Sequence, residues 1–512
     1  VLRPHDKPVN YDFSLLVHEI YRSTLIRLKT ADIDQEVKER AIACMGQILA
    51  HMGDTLYSEL AVCLPIFLDR LRNEITRLTT VKALTCIAAS PLRVDLQPIM
   101  QEALPILGSF LRKNQRALKL CSLTLLDTLV KSYSASLQAD LLYKVTMELP
   151  ALLNESDLHI AQLTLTLLTT IARLQPIALT RISDNILPEV MVLVKSPLLQ
   201  GAALTAMLEF FQALVQAGIP GLGYAELLTM LVVPASGAPL HKQAYHSLAK
   251  CAAALTITRQ QQAQGVVEQF IKNIQDPTSD SQQVFALLVI GEIGKHVDLS
   301  GIPTLKTVIL NAFGSASEEV KSAASYTLGN IAVGNLTEYL PFILEEIEGQ
   351  PKRQYLVLHS LKEIITCQSQ SPTGVSQLQS FVPSIWLLLY RHAECTEEGT
   401  RNVVAECLGK LTLIAPMTLL PRLQESLKSP SPLMRTTTVT AVKFTISDQP
   451  QQIDAMLKGC MGSFLGALED PDLNVRRVAL VAFNSAAHNK PMLIRDLLDS
   501  VLPKLYAETK TK

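Results

Sequence analysis

The feature that most constrains the fold of this chain is a segment of about 17 residues that recurs along it. Each copy starts with a short polar turn and continues with small residues, leucine and glycine at helical spacing. The clearest copies are DQEVKERAIACMGQILA (34–50), SEEVKSAASYTLGNIAV (317–333), EEGTRNVVAECLGKLTL (397–413) and DLNVRRVALVAFNSAA (472–487). Such self-similarity indicates a repeat architecture, in which each unit buries its apolar face on its neighbours.

One position shortly after the turn serves as a register mark for the whole array. Its equivalents are Lys38, Arg77, Lys119, Ala161, Gln200, His241, Gln283, Lys321, Gln354, Arg401, Arg435 and Arg476. Their mean spacing is about 40 residues, a period typical of HEAT repeats, which are pairs of helices. A Leu-Pro pair marks the other half of most repeats, and we interpret it as the start of the first helix, where proline is tolerated. The sequence thus predicts an all-α HEAT-repeat α-solenoid, a superhelix of about 12 antiparallel helix pairs.

We predict one continuous repeat array over residues 1–512, and we expect it to be truncated at both ends. The chain starts at Val1 rather than Met, and its last residues, from Leu502, begin a further first helix. The interval between Gln354 and Arg401 is longer than the others and contains CQSQSPTGVSQLQS (367–380). This Ser/Gln-rich stretch is predicted to be an inter-helix loop insertion.

Composition and motifs argue against several classes of function. Lys plus Arg is 46 and Asp plus Glu is 47, so no overall field attracts nucleic acid or a membrane. Apolar residues make up 48 % of the chain, yet no uncharged apolar run reaches about 18 residues. VHEIYR (17–22) lacks the second histidine of a zinc-protease helix, and no nucleophile elbow or paired C-x-x-C is present. We therefore expect no enzyme, no metal or other cofactor, no nucleic-acid partner and no membrane partner.

Basic residues at the register mark are predicted to be structural. Arg476 flanks the buried stripe of its helix, within reach of turn carboxylates such as Asp470 or Asp472, or of their counterparts one repeat away. The same role is predicted for Lys38, Lys321, Arg401 and Arg435. Arg477 does not recur and points away from the stripe, so it is predicted to contact a partner instead.

A second candidate surface lies between Asp69 and Lys119, a segment that contains nine basic residues and only four acidic ones. Because equivalent positions of neighbouring repeats lie side by side, these cations can merge into one surface that suits an acidic protein. The alternative is a solvated face whose side-chain stems pack on the fold. The predicted partner-binding residues here are Arg70, Arg72, Arg77, Lys82, Arg112, Lys113 and Arg116.

Several segments resemble the cullin-associated and neddylation-dissociated family of HEAT proteins, which are also described as binding the TATA-box-binding protein. They include LRNEITRLTTVKALT (71–85), SPLLQGAALTAMLEFFQALV (196–215) and EDPDLNVRRVALVAFNSAAHNKPMLIRDLLD (469–499). Within the family, the resemblance favours the second, muscle-enriched vertebrate paralogue.

The resemblance implies a non-enzymatic clamp on an unneddylated cullin–RING heterodimer that covers its neddylation and adaptor-docking sites. Such a clamp regulates the exchange of substrate-receptor modules in cullin–RING ubiquitin ligases, in nucleus and cytoplasm. The residues by themselves support only an extended protein-binding solenoid. A nuclear transport receptor of the importin type and a phosphatase-type HEAT scaffold therefore stay open as alternatives.

Overall fold

The computed structural model of the protein describes residue 12, residues 14–30 and residues 34–510. Within these residues the chain is helical and contains no β-strand. It divides into two compact units, Val1–Arg259 and Gln260–Lys512. Each unit is a stack of helix pairs, which confirms the predicted all-α HEAT-type solenoid.

The first unit consists of thirteen α-helices in the described residues. They are α1 (Ser14–Lys29), α2 (Gln35–Met52), α3 (Leu60–Arg72), α4 (Arg77–Ala88), α5 (Gln97–Phe110), α6 (Arg116–Tyr133), α7 (Ala139–Thr146), α8 (Leu158–Leu174), α9 (Pro176–Thr180), α10 (Ser183–Val194), α11 (Gly201–Ala217), α12 (Tyr224–Val232) and α13 (Lys242–Ile257).

The second unit continues the same alternation of first and second helices. Its α-helices are α14 (Ala263–Gln275), α15 (Asp280–Gly294), α16 (Leu305–Ala312), α17 (Glu318–Gly334), α18 (Leu336–Gly349), α19 (Gln354–Ser369), α20 (Pro372–Leu378), α21 (Val382–His392), α22 (Glu398–Ile414), α23 (Pro416–Ser426), α24 (Pro432–Lys443), α25 (Asp454–Leu465), α26 (Leu473–Asn489) and α27 (Leu498–Glu508).

Short 3-10 turns join several of these helices. They are Tyr57–Glu59, Pro150–Leu152, Val233–Ser236, Gln260–Gln262, Gln379–Phe381, Gly466–Glu469, Pro491–Leu493 and Arg495–Leu497.

The second helices of each unit form a continuous layer. In the first unit α2, α4, α6, α8, α11 and α13 pack in succession, and in the second unit α15, α17, α19, α22, α24 and α26 do the same. The recurring glycine of the repeat permits this close packing. A Cβ at Gly409 would lie 2.3 Å from the carbonyl oxygen of Ala441, and one at Gly329 would lie 2.7 Å from that of Ser360. Glycine is therefore required where one second helix crosses the next.

The register mark coincides with the end of the first turn of most second helices. The backbone N–H of Arg476 donates to the carbonyl of Asp472, and Arg401 and Lys38 bond in the same way to Glu397 and Asp34. Three marks were placed about one turn too early. Gln200 and His241 precede the first residues of α11 and α13, and Gln354 is the first residue of α19. These repeats have no basic residue at the equivalent position, so the sequence offered no anchor there.

The Leu-Pro pair does not start the first helix in most repeats, so that prediction was wrong there. Proline lies inside a helix at Pro65, Pro105, Pro188, Pro341, Pro421 and Pro503. An interior proline removes one backbone hydrogen bond and bends the helix. The leucine before it is buried in five of these helices, at Leu64, Leu104, Leu187, Leu340 and Leu420. Burial of that leucine in the core favours the helix despite its proline.

Residues 367–380, predicted to be a loop, are mostly helical. The first of them complete α19, and α20 follows after one turn. The Ser371 hydroxyl accepts the backbone N–H of Gly374 at 3.0 Å, and Pro372 occupies the first turn. A serine N-cap followed by proline is a helix start, which a Ser/Gln-rich composition conceals.

Candidate functional site

Three register-mark arginines tie their helices to the turns before them. In each case the guanidinium donates to the carbonyls of the residues six and five positions earlier. The distances are 2.7 Å and 2.7 Å for Arg401, 2.9 Å and 3.1 Å for Arg435, and 2.9 Å and 3.3 Å for Arg476. Carbonyls in such turns need donors, and the planar guanidinium supplies two N–H groups at once.

Arg435 also links two repeats. Its Nε and Nη2 donate to the two carboxylate oxygens of Asp470 at 2.8 Å and 3.0 Å. The side chains are only 15 % and 10 % exposed. Burial would raise the pKa of Asp470, but the Arg435 bonds and the backbone N–H of Asp472 hold that pKa below its usual value. Such a pair costs much free energy to break, because one charge is left buried and unpaired.

The lysines at the same mark are placed differently. Lys321 Nζ contacts Glu318 of its own helix at 2.9 Å, and Lys38 is partly buried. In each of the three arginines, one nitrogen, Nη1, donates to both carbonyls, and in Arg435 this leaves Nε and Nη2 for a carboxylate. An ammonium group has a single nitrogen and cannot serve both kinds of partner in this way. Arg77, also at the mark, lies against the Phe110 ring instead.

Most arginines of the predicted basic surface are paired with carboxylates of the next repeat. Arg72 contacts Glu102, Arg112 contacts Glu148, and Arg116 Nε lies 2.5 Å from Asp157. These ion pairs are partly exposed, so each is worth little to stability. They do cancel much of the local positive charge that the sequence suggests.

Arg70 and Arg77 are used inside the fold, and each side chain is only 13 % exposed. Arg70 donates to the carbonyl of Leu28 at 2.7 Å, and the Arg77 guanidinium lies 5.6 Å from the centre of the Phe110 ring. Lys82 and Lys113, in contrast, are exposed and form no ion pair with any residue in the described ranges. These two lysines are the better candidates for a partner in the first unit.

Arg477 lies on the second-helix layer of the second unit. Its Nη2 contacts Glu398 at 3.1 Å, and both side chains are mostly exposed, at 61 % and 64 %. The bridge crosses α24, where Thr436 and Thr440 line a groove of about 100 Å³ together with both charged residues. Glu398 was missed in the sequence because its partner lies two repeats away.

Histidine, cysteine and carboxylate side chains do not form a metal-binding group of three or more within the described part of the chain. Cys407, near His392 and Cys395 in sequence, is fully buried, and burial raises its pKa to about 12. No helix among the described residues is long and apolar enough to cross a membrane. The candidate residues are the exposed charged side chains described above.

Among known proteins, relatives with one shared family name align with the whole length of this chain. Cullin-associated NEDD8-dissociated protein 1 of Drosophila melanogaster is 56 % identical over 528 residues, which cover 100 % of this chain and 42 % of that protein. Cullin-associated NEDD8-dissociated protein 2 of Rattus norvegicus is 48 % identical over 521 residues, covering 100 % and 40 %. The chain thus spans about two fifths of the length of these relatives. Since the identity to this protein 1 is higher than the identity to this protein 2, the expected greater likeness to the second paralogue is not supported.

A family model described as CAND1-like, TPR repeats matches residues 1–45. Among solved structures, the karyopherin Kap121p bound to the extreme C-terminus of the protein phosphatase Cdc14p aligns with a TM-score of 0.50 at 14 % identity. The alignment covers 99 % of this chain and 52 % of that one. At this identity the likeness concerns the helical-repeat fold alone.

Proposed function

This chain belongs to the family of the cullin-associated NEDD8-dissociated proteins, and on that premise we propose that it is a non-enzymatic solenoid that binds a cullin–RING heterodimer. The observation that carries the proposal is the identity of 56 %, which extends over the whole chain rather than over one motif. Neither the names of the relatives nor the residues that the structure describes indicate a catalytic activity.

The finer proposal is that the chain forms part of a clamp on the unmodified cullin. The words "NEDD8-dissociated" in the names of its relatives support a preference for the cullin without this modification. By covering the neddylation and adaptor-docking sites, the clamp regulates exchange of substrate-receptor modules. This chain contributes the two stacks of helix pairs, and the rest of such a protein extends beyond the region aligned here.

We assign the contact role to exposed charged side chains in both units. In the second unit Arg477 and Glu398 are mostly exposed and line a small groove on the second-helix layer. In the first unit Lys82 and Lys113 are free of ion pairs within the described residues, and Arg112 and Arg116 lie near Lys113 in sequence. Within each unit, neighbouring repeats place equivalent positions side by side, so that a partner can contact several repeats at once.

The experiment is affinity capture of a purified cullin–RING heterodimer by this chain and by charge-reversed variants. Changing Arg112, Lys113 and Arg116 together to Glu, or Arg477→Glu alone, should weaken capture about tenfold through like-charge repulsion. Arg40→Glu is the matched control, since Arg40 is an exposed second-helix arginine with only a local pair to Glu36. Undiminished capture by both sets of variants would contradict the assigned surface, and no capture by the unchanged chain would contradict the function.

Binding of the TATA-box-binding protein and location in nucleus and cytoplasm stay predictions from the resemblance. The alternative of a nuclear transport receptor predicts cargo release that depends on a small GTPase. The likeness to karyopherin Kap121p does not favour it, because 14 % identity reflects a shared fold only. No observation specifically favours the other alternative, a phosphatase-type HEAT scaffold.

A further inference from the structure

An open groove separates two first helices of the second unit, α21 and α23. It has a volume of about 540 Å³ and is lined on one side by Trp386, Leu387 and Tyr390. Trp386 is the single tryptophan of the chain and is only 6 % exposed, whereas Leu387 and Tyr390 are 52 % and 41 % exposed. The groove therefore has an apolar wall that water reaches.

The opposite wall carries charge. Arg422 of α23 is exposed and forms no ion pair with any residue that the structure describes. Lys428, in the turn after α23, contacts Glu425 at 3.0 Å, and both of these side chains are about three-quarters exposed, at 76 % and 74 %. The three charges leave the groove with an excess of one positive charge, on Arg422.

Other junctions between first helices differ at this point. An ion pair joins Arg391, in the last turn of α21, to Glu348 of the preceding α18, and another joins Lys306 of α16 to Glu338 of α18. At these junctions the cation of one repeat is neutralised by its neighbour. Between α21 and α23 an unpaired arginine faces exposed leucine and tyrosine side chains instead.

We propose that this groove binds a short acidic segment of a partner protein, with one bulky apolar side chain next to a carboxylate. The guanidinium of Arg422 can take the carboxylate in a bidentate contact. The apolar side chain then packs on Leu387 and the Tyr390 ring, and Lys428 offers a second cation if it leaves Glu425. Charge complementarity selects an acidic rather than a basic segment.

This site goes beyond the proposed function and does not depend on it. It lies on the first helices, whereas Arg477 and Glu398 lie on second helices. A failure of cullin binding would leave it untouched, and a failure of peptide binding would leave the cullin proposal untouched.

The test uses Trp386 as a reporter in the whole chain. With 5-fluorotryptophan incorporated, the single tryptophan gives one fluorine resonance, which is followed during titration with a synthetic peptide of two glutamates flanking a leucine. We expect a saturable shift of this resonance. A peptide with glutamine in place of glutamate, and one with lysine, should bind about tenfold more weakly or worse.

Variants separate the groove from general charge effects. Arg422→Gln and Leu387→Ser should each weaken binding of the acidic peptide about tenfold, and both residues are exposed, so the fold tolerates the changes. Arg72→Gln is the matched control, because Arg72 is an exposed first-helix arginine already paired with Glu102. Equal binding of the lysine peptide, or full binding by both groove variants, would overturn the proposal.

Discussion

Two arginine–aspartate pairs, one in each unit, join second helices of adjacent repeats and differ in what surrounds them. In the first unit Arg116 lies 2.5 Å from Asp157, with side chains 57 % and 25 % exposed. In the second unit Arg435 binds Asp470 at 2.8 Å and 3.0 Å, with 15 % and 10 % exposed. The same chemistry is thus solvated in one unit and nearly buried in the other.

The difference follows from position in the repeat. Arg435 is the fourth residue of α24, so its guanidinium turns back over the preceding turn and also bonds two carbonyls there. Arg116 is the first residue of α6 and extends towards solvent. The position of an arginine within the repeat, more than the local charge density, therefore decides whether it stabilises the fold or remains available to a partner.

The largest effect is expected for Arg435→Ala. It leaves the Asp470 carboxylate nearly buried without its partner, and two turn carbonyls lose a donor. The free energy of unfolding should fall by about 3 kcal/mol, as for other broken buried pairs. Urea denaturation followed by circular dichroism measures this. A loss below about 1 kcal/mol would show that the pair behaves like a surface ion pair.

The pH dependence of the free energy of unfolding tests the same pair, Arg435 and Asp470. The pKa of Asp470 is depressed in the folded chain, so its stabilising effect is present above the ordinary aspartate pKa, near 4, and is lost as the pH falls further. The difference in unfolding free energy between the wild type and Arg435→Ala should be constant from neutral pH to about pH 5 and narrow below about pH 4. A difference that widens on acidification would contradict this assignment.

A smaller effect is expected for Asp157→Ala. Arg116 and the backbone N–H groups of Ile160 and His159 together lower the pKa of Asp157. This aspartate is the N-cap of α8, and its side chain accepts from those two N–H groups. Losing the cap should cost about 1 kcal/mol in the same denaturation experiment. Asp157→Asn is the control, since asparagine caps helices almost as well.

The smallest effect is expected for Arg116→Ala. Solvent and salt screen the pair of this exposed arginine, and the cap at Asp157 survives the change. The Arg116→Ala variant should therefore have a clearly higher free energy of unfolding than the Asp157→Ala variant. A loss for Arg116→Ala as large as that for Arg435→Ala would break the comparison between the two units.

The sequence predicted the repeat period and the helix-pair fold because both depend on spacing within the chain. It did not predict the interior prolines of the first helices, since burial of the preceding leucine outweighs the local cost of proline. The ion pairs that join the basic surface to the next repeat were also missed. Arg72 reaches Glu102 and Arg112 reaches Glu148 over different separations in sequence, so no fixed spacing reveals these contacts.

The candidate surfaces were predicted in part. Arg477 was separated from Arg476 by recurrence at the register mark. The structure places Arg477 at the edge of a small groove, mostly exposed, and Arg476 over its own turn. Charge counting grouped Arg70 and Arg77 with residues that are far more exposed. Counting charges along the chain cannot show which side chains fold back onto carbonyls or rings.

The measurement that tests the account most directly is the affinity of this chain for a purified cullin–RING heterodimer with and without covalently attached NEDD8. Isothermal titration calorimetry on both forms gives the two dissociation constants under the same conditions. The account predicts binding to the unmodified form and at least tenfold weaker binding to the modified one. Equal affinity for the two forms, or binding to neither, would contradict it.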